Sequence, residues 1–133
     1  MSRVNRLTLI ALLSFWMLLF TATHIPQPDL PTVHVSDKLI HASAFFLLAI
    51  LLYITLWVRG GRVGGIWWKV LIGLMIYGAF DEWTQQYVNR TTDLHDWFAD
   101  CIGIIAAVFL MLLIHLFFHH RRKARVGHSS TVA

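Results

Sequence analysis

Four apolar runs divide the chain, at residues 7–23, 39–58, 66–80 and 101–118. A helix needs about 20 apolar residues to cross a hydrocarbon core about 30 Å thick. The third run is short: its fifteen residues make about 22 Å of helix at 1.5 Å per residue. It continues through polar residues to about Val88. Polar connectors lie at 24–38, 59–65 and 89–100. The pattern predicts an all-α membrane protein, with four transmembrane helices in a compact bundle. Residues 1–6 form a short flank, 7–118 the membrane domain, and 119–133 a polar, basic tail expected to be disordered after Arg125. The first run follows Arg3 and Arg6 as a signal peptide would, but it is long for one. Thr21-Ala22-Thr23 is also a poor cleavage site, so the run is read as a retained helix.

Composition agrees with lipid as the solvent. The 133 residues are 57% apolar and only 14% charged, with a mean hydropathy of +0.63. Soluble domains are about a quarter charged. The single cysteine, Cys101, excludes an intrachain disulfide and a cysteine zinc site. Inside an apolar run it reads as a packed thiol. The net charge of +4 and pI of 9.7 are compatible with nucleic-acid binding in principle. The charges are segregated along the chain, however, and no nucleic-acid partner is expected.

That segregation sets an orientation. Nine basic residues (Arg3, Arg6, Arg59, Arg62, Lys69, Arg121, Arg122, Lys123 and Arg125) fall on one side, against Lys38 and Arg90 on the other. By the positive-inside bias both termini are cytoplasmic, and connectors 24–38 and 89–100 are extracytoplasmic. His119 and His120 join the basic cytoplasmic flank that meets anionic lipid. Trp67, Trp68, Trp83 and Trp97 read as interface anchors, and Tyr53 and Tyr77 as packing or boundary residues. All seven acidic residues (Asp29, Asp37, Asp81, Glu82, Asp93, Asp96 and Asp100) lie on or near the outer side. The basic bias alone explains orientation, so this clustering calls for a site.

Helical spacing places these groups together. Asp81 and Glu82 end a short span, below the outer membrane boundary, where ionisable groups face the bundle interior with partners. Gln85 is four residues from Asp81 and three from Glu82, so one face can carry both pairings. Ser36 or Asp37 caps the second helix. His41 stacks one turn deeper than Asp37. Asp93, Asp96 and Asp100 form one stripe, which Gly103 and Ala107 extend with small residues that let a helix approach closely. Arg90 precedes the stripe, while His95 points away from it. His24, His34 and Asp29 read as solvated loop. The bland alternative is a polar layer that only glues the bundle, with Arg90 paired to Asp93 or Glu82.

These residues also resemble a known family. Asp37-Lys38-x-x-His41, Asp81-Glu82-x-x-Gln85 and Arg90-Thr-x-Asp93-x-x-Asp96-x-x-Ala99-Asp100-x-x-Gly103 are similar to the three motifs of the VanZ-like family, over roughly residues 33–118. Val88-Asn89 replaces the family's Pro-Gly turn, which leaves Gln86 as an alternative to Gln85. Asp100 stands where Asn is common. The family is named for a protein associated with teicoplanin resistance. The resemblance implies a multi-pass protein of the bacterial cytoplasmic (inner) membrane acting in the cell envelope, with glycopeptide resistance as one form of that role.

Three functions follow from the residues. In the first, an envelope enzyme or binder takes a phosphate- or carboxylate-bearing lipid or lipid-linked precursor. His41, Glu82 and Asp96 are its candidate catalytic groups. Asp37, Lys38, Gln85, Arg90, Asp93 and Asp100 are its ligand-binding candidates. A divalent cation is the candidate cofactor, with Asp37, His41, Glu82, Asp96 and Asp100 as possible ligands. In the second, the protein is a transport component, which with four helices needs an oligomer. In the third, it is a structural assembly factor.

Overall fold

The computed structural model describes residues 2–26, 36–88, 90 and 92–129. Asp29, His34 and Asn89 lie outside the described residues. Four helices follow one another: α1 (Arg3–Thr23), α2 (Asp37–Val58), α3 (Val63–Gln85) and α4 (Leu94–Ser129). A 3-10 turn, Gln86–Val88, ends the third. All four are long and apolar enough to cross a membrane. The architecture expected from the apolar runs is therefore present.

The ends follow local chemistry. The Ser2 side chain caps α1 by accepting the Asn5 N–H at 3.2 Å. Ser36 holds the cap position of α2, but its hydroxyl makes no cap bond. Asp37 instead lies in the first turn, where a carboxylate favours the positive end of the helix dipole. Asp93 caps α4: its Oδ1 accepts the His95 N–H at 2.9 Å, and its carbonyl takes the Asp96 N–H. The fourth helix thus starts well before its apolar run, as the Asp stripe requires. At the other end α4 runs on to Ser129, where disorder had been expected after Arg125. Arg121-Arg-Lys-Ala-Arg contains good helix formers and no proline, so each added residue gains a backbone hydrogen bond.

Packing is centred on one pair. α2 and α4 share the most extensive contact, α3 lies mainly on α4, and α1 lies on α2. Phe45, Leu48, Tyr53, Val70, Ile104 and Ala107 form the heart of the apolar core. Residues such as Leu18, Ile76, Ile102 and Phe109 are more than 60% exposed. Such apolar faces suit a lipid bilayer rather than water. At Gly103 the α2 and α4 backbones touch: a Cβ there would collide with the Ala42 carbonyl. The small-residue stripe does what its spacing predicts.

Candidate functional site

The polar layer lies at one end of the bundle. It is built by the last turns of α1 and α3 and the first turns of α2 and α4, which the four successive helices bring to the same level. His41, Asp81, Glu82, Gln85, Asp96 and Asp100 are all buried.

The deepest part centres on Asp81, which is 1% exposed. It accepts hydrogen bonds from Thr23 Oγ1 (3.2 Å), Tyr77 OH (3.4 Å) and Gln85 Nε2 (3.2 Å). Gln85 Nε2 also donates to Glu82 Oε1 at 3.2 Å. Both pairings expected of Gln85 are therefore made, while Gln86 is exposed and bonds to the Trp83 carbonyl. The other oxygen of Glu82 accepts the Asp93 N–H at 3.3 Å.

Next to this lies a histidine–carboxylate group. His41 Nδ1 is 3.1 Å from Asp100 Oδ1 and 3.9 Å from Glu82 Oε1. Facing two acceptors, Nδ1 carries the proton and donates it to Asp100. His41 also belongs to a second cluster, with Asp37 and Asp96. In each triad the potential ligand atoms lie within 4.8 Å of one another. All five metal-ligand candidates thus fall into two triads that share His41.

The outer rim is an ion-pair network. Lys38 Nζ is 3.1 Å from Asp93 Oδ2 and 3.0 Å from Asp96 Oδ1, and it is half-exposed. His95 Nδ1 meets Asp93 Oδ1 at 2.7 Å and faces solvent. The His95 backbone N–H, the His95 ring and Lys38 together hold the Asp93 carboxyl well below the usual carboxylate range. A lowered value stabilises the fold fully above the ordinary pKa of about 4, and the contribution is lost as pH falls through the lowered value. The melting difference between wild type and Asp93→Asn should therefore be flat above about pH 5 and shrink below about pH 4. Thermal unfolding in detergent across that range measures it. A difference that grows on acidification would contradict the capped, ion-paired arrangement.

Several assignments change. Arg90 does not pair with Asp93 or Glu82 among the described contacts. Its Nη1 donates to the carbonyls of Ala22 (3.4 Å) and Thr23 (3.2 Å), at the C-terminal end of α1. The physical reason is the helix terminus: the last carbonyls lack intrahelical donors and carry the negative dipole end. His24, expected as solvated loop, joins the layer. Its Nδ1 donates to the Phe20 carbonyl at 2.8 Å, and its Nε2 is 3.0 Å from Thr84 Oγ1. With Thr23 it brings in α1, a fourth contributor not anticipated. Tyr77 is a member of the layer and not only a packing residue. The signal was present, since it stands four residues before Asp81. Trp97 also turns inward, donating from Nε1 to the Met75 carbonyl at 3.0 Å, while Trp67, Trp68 and Trp83 remain exposed.

Beneath the rim, an apolar groove of about 410 Å³ runs between α2 and α4 on the outer surface of the bundle. Ala42, Ser43, Phe46 and Leu47 line one side, and Ile102, Gly103 and Ala106 the other. Ala42 is four residues along α2 from Lys38, so the groove begins one helical turn from that lysine.

Comparison with known proteins gives one relative. The chain is similar to a fission-yeast protein. That protein, the uncharacterized protein C11E3.10 of Schizosaccharomyces pombe, is 32% identical over 113 residues. The match covers 80% of this chain and 65% of the relative, so the chain spans slightly less than two thirds of the protein it resembles. No protein-family profile and no solved structure matches.

Proposed function

We propose that the protein binds a membrane lipid with a phosphate- or carboxylate-bearing headgroup, and acts on that headgroup at the polar layer. The observation that carries this reading is proximity along α2: the apolar groove between α2 and α4 starts at Ala42, one helical turn from Lys38, the half-exposed lysine paired with Asp96. A chain in the groove would place its headgroup at Lys38. The groove volume of about 410 Å³ lies in the roughly 300–1,000 Å³ range of ligand pockets, room for part of one acyl or isoprenoid chain. Glu82 is fixed beside His41 by Gln85 and the Asp93 N–H. Hydrolysis or group transfer is the reaction class such a layer serves. The layer is assigned to the extracytoplasmic face from the distribution of Lys and Arg, with both termini cytoplasmic.

The VanZ-like resemblance supports a membrane envelope role. The likeness to a yeast protein makes the headgroup chemistry, rather than a specifically bacterial precursor or teicoplanin resistance, the part of that expectation carried forward. A transport path is less well supported. Below the layer, Phe45, Leu48, Ala49, Ile104 and Ala107 form a continuous apolar core.

The test is lipid retention. Purified protein is exchanged into nanodiscs containing phosphatidic acid in phosphatidylcholine, and the bound lipid is read by native mass spectrometry after gentle release. Wild type is expected to keep phosphatidic acid over phosphatidylcholine by about 10-fold, which corresponds to about 1.4 kcal/mol. Lys38→Glu should abolish that preference, and Ala106→Phe, which fills the groove, should reduce total retention. Equal retention of both lipids by wild type and Lys38→Glu would sink the reading.

A further inference from the structure

Asp100 poses a problem that its protein neighbours do not solve. The residue is 1% exposed, and its Oδ2 is buried without a hydrogen-bond partner. Only Oδ1 is engaged, by His41. An unsatisfied carboxylate oxygen costs more in a membrane bundle than in a soluble core, since no water is at hand. Room beside it is kept by Gly78 of α3: a Cβ built there would stand 3.4 Å from Oδ2. Glu82, also buried, points its Oε1 at the same imidazole nitrogen. Two carboxylates thus converge on one histidine, and one oxygen is left with nothing to bind.

We propose that His41, Glu82 and Asp100 hold one divalent transition-metal cation, Zn²⁺ or Mn²⁺. Ligand atoms bonded at about 2.0–2.2 Å to a common ion stand about 3.0–3.5 Å apart at tetrahedral or octahedral angles. The observed separations from His41 Nδ1, 3.1 Å to Asp100 and 3.9 Å to Glu82, need a shift of only a few tenths of an ångström. The ion takes the place of the Nδ1 proton, which moves to Nε2 as the ring changes tautomer. A neutral imidazole and two carboxylates then balance the double charge, and the buried triad is neutral. Asp100 Oδ2 becomes available as a second oxygen for the ion.

The surroundings are those of a supported ligand set. Gln85 and the Asp93 N–H fix the orientation of Glu82, and such outer partners hold metal ligands in place. The nitrogen ligand disfavours Mg²⁺ and Ca²⁺, which take oxygen sets. Without thiolates, a mixed nitrogen–oxygen site suits Zn²⁺ or Mn²⁺. The outer triad shares His41, but Asp37 is exposed and Asp96 already serves Lys38, so it is a path of access rather than the seat. The cation deepens the lipid reading: it supplies a headgroup with positive charge that Arg90, spent on α1, does not. Its test needs no lipid.

Full-length protein in detergent is stripped with chelator and dialysed against Zn²⁺, Mn²⁺ or Mg²⁺, and the bound ion is counted by plasma mass spectrometry. Wild type should hold one Zn²⁺ or Mn²⁺ per chain and no stoichiometric Mg²⁺. Glu82→Gln and Asp100→Asn should each weaken binding at least about 10-fold, while Asp37→Asn binds as wild type. If the inner variants do not fold, wild type with Mn²⁺ decides: pulsed electron paramagnetic resonance should show coupling to one imidazole nitrogen. The assignment is overturned by absence of a stoichiometric ion, by binding that survives both inner substitutions, by its loss in Asp37→Asn alone, or by Mn²⁺ without nitrogen coupling. Ion binding without lipid retention would keep the cation and remove only the lipid reading.

Discussion

Gly103→Leu is expected to abolish recovery of folded protein. A single Cβ at this position would run into the Ala42 carbonyl, stand 2.9 Å from the Ala42 carbonyl carbon and lie 3.1 Å from the Phe46 nitrogen. All three are backbone atoms of α2, so no side-chain rotation relieves the clash. The two helices must move apart, and they are the principal packed pair. Overpacking costs about 1–3 kcal/mol where side chains can shift, and more where backbone must. Gly103→Ala is the graded version. Its expected cost of about 3 kcal/mol lowers the melting midpoint by more than about 10 °C. Fluorescence-detected size exclusion measures recovery for the Leu variant, and a thermal scan reads the Ala variant. An alanine variant that melts like wild type would mean the α2–α4 seam is looser than described.

The second large effect separates glue from site. Asp81→Ala should cost about 2–3 kcal/mol, because it removes the acceptor shared by Thr23, Tyr77 and Gln85. Only the Thr23 bond runs between helices, where such bonds average about 0.6 kcal/mol; the rest of the cost comes from leaving the Tyr77 and Gln85 donors of α3 without their acceptor. Thr23 and Gln85 are buried and Tyr77 is half-buried, so water replaces the lost acceptor poorly. Glu82→Gln should lose clearly less than Asp81→Ala, because the amide oxygen still serves Gln85 and a buried charge is removed, against loss of the acceptor for the Asp93 N–H. Melting curves of the two variants side by side decide this. If both lose stability equally, the whole layer is structural and the lipid and cation readings lose their foundation. If neither does, Asp81 is not the anchor of α1.

The pH behaviour of Asp93 belongs to a third, milder class. Its three roles (cap of α4, partner of Lys38, and N–H donor to Glu82) are local and partly solvent-facing. A solvated ion pair is worth little, so the expected change is a shape of the melting profile and not a collapse.

Periodicity and charge bias carried a large share of the fold and of the site. Apolar runs of span length have one main solution in lipid, since every backbone group must be satisfied within its own helix. The i, i+3 and i+4 spacings placed Gln85 against both Asp81 and Glu82, and put Gly103 on the stripe where α2 comes close. Local chemistry of this kind is visible because it depends on residues within one or two turns of each other.

What the chain alone left open depended on which helix stands beside which. Thr23 looked like the plain end of the first span and His24 like solvated loop until the packed α1 brought them to Asp81 and Thr84, 58 and 60 residues away. Arg90 had two carboxylates within a few residues, yet it turned to the carbonyls at the end of α1, whose dipole and missing donors are created only by the packed helix. Trp97 carries the same side chain as the exposed Trp83, but α3 meets α4 at Met75, so its indole is drawn inward. Sequence by itself determined the four span-length apolar helices, the segregation of charge and the membership of the Asp37, His41, Glu82, Asp96 and Asp100 set. Tertiary structure decided how that set divides into two triads around His41, which carboxylate serves the fold, and which oxygen is left unpartnered. The division follows from desolvation: burial strongly favours a partner within about 3 Å for each polar atom, and only the packed neighbours determine which atoms find one.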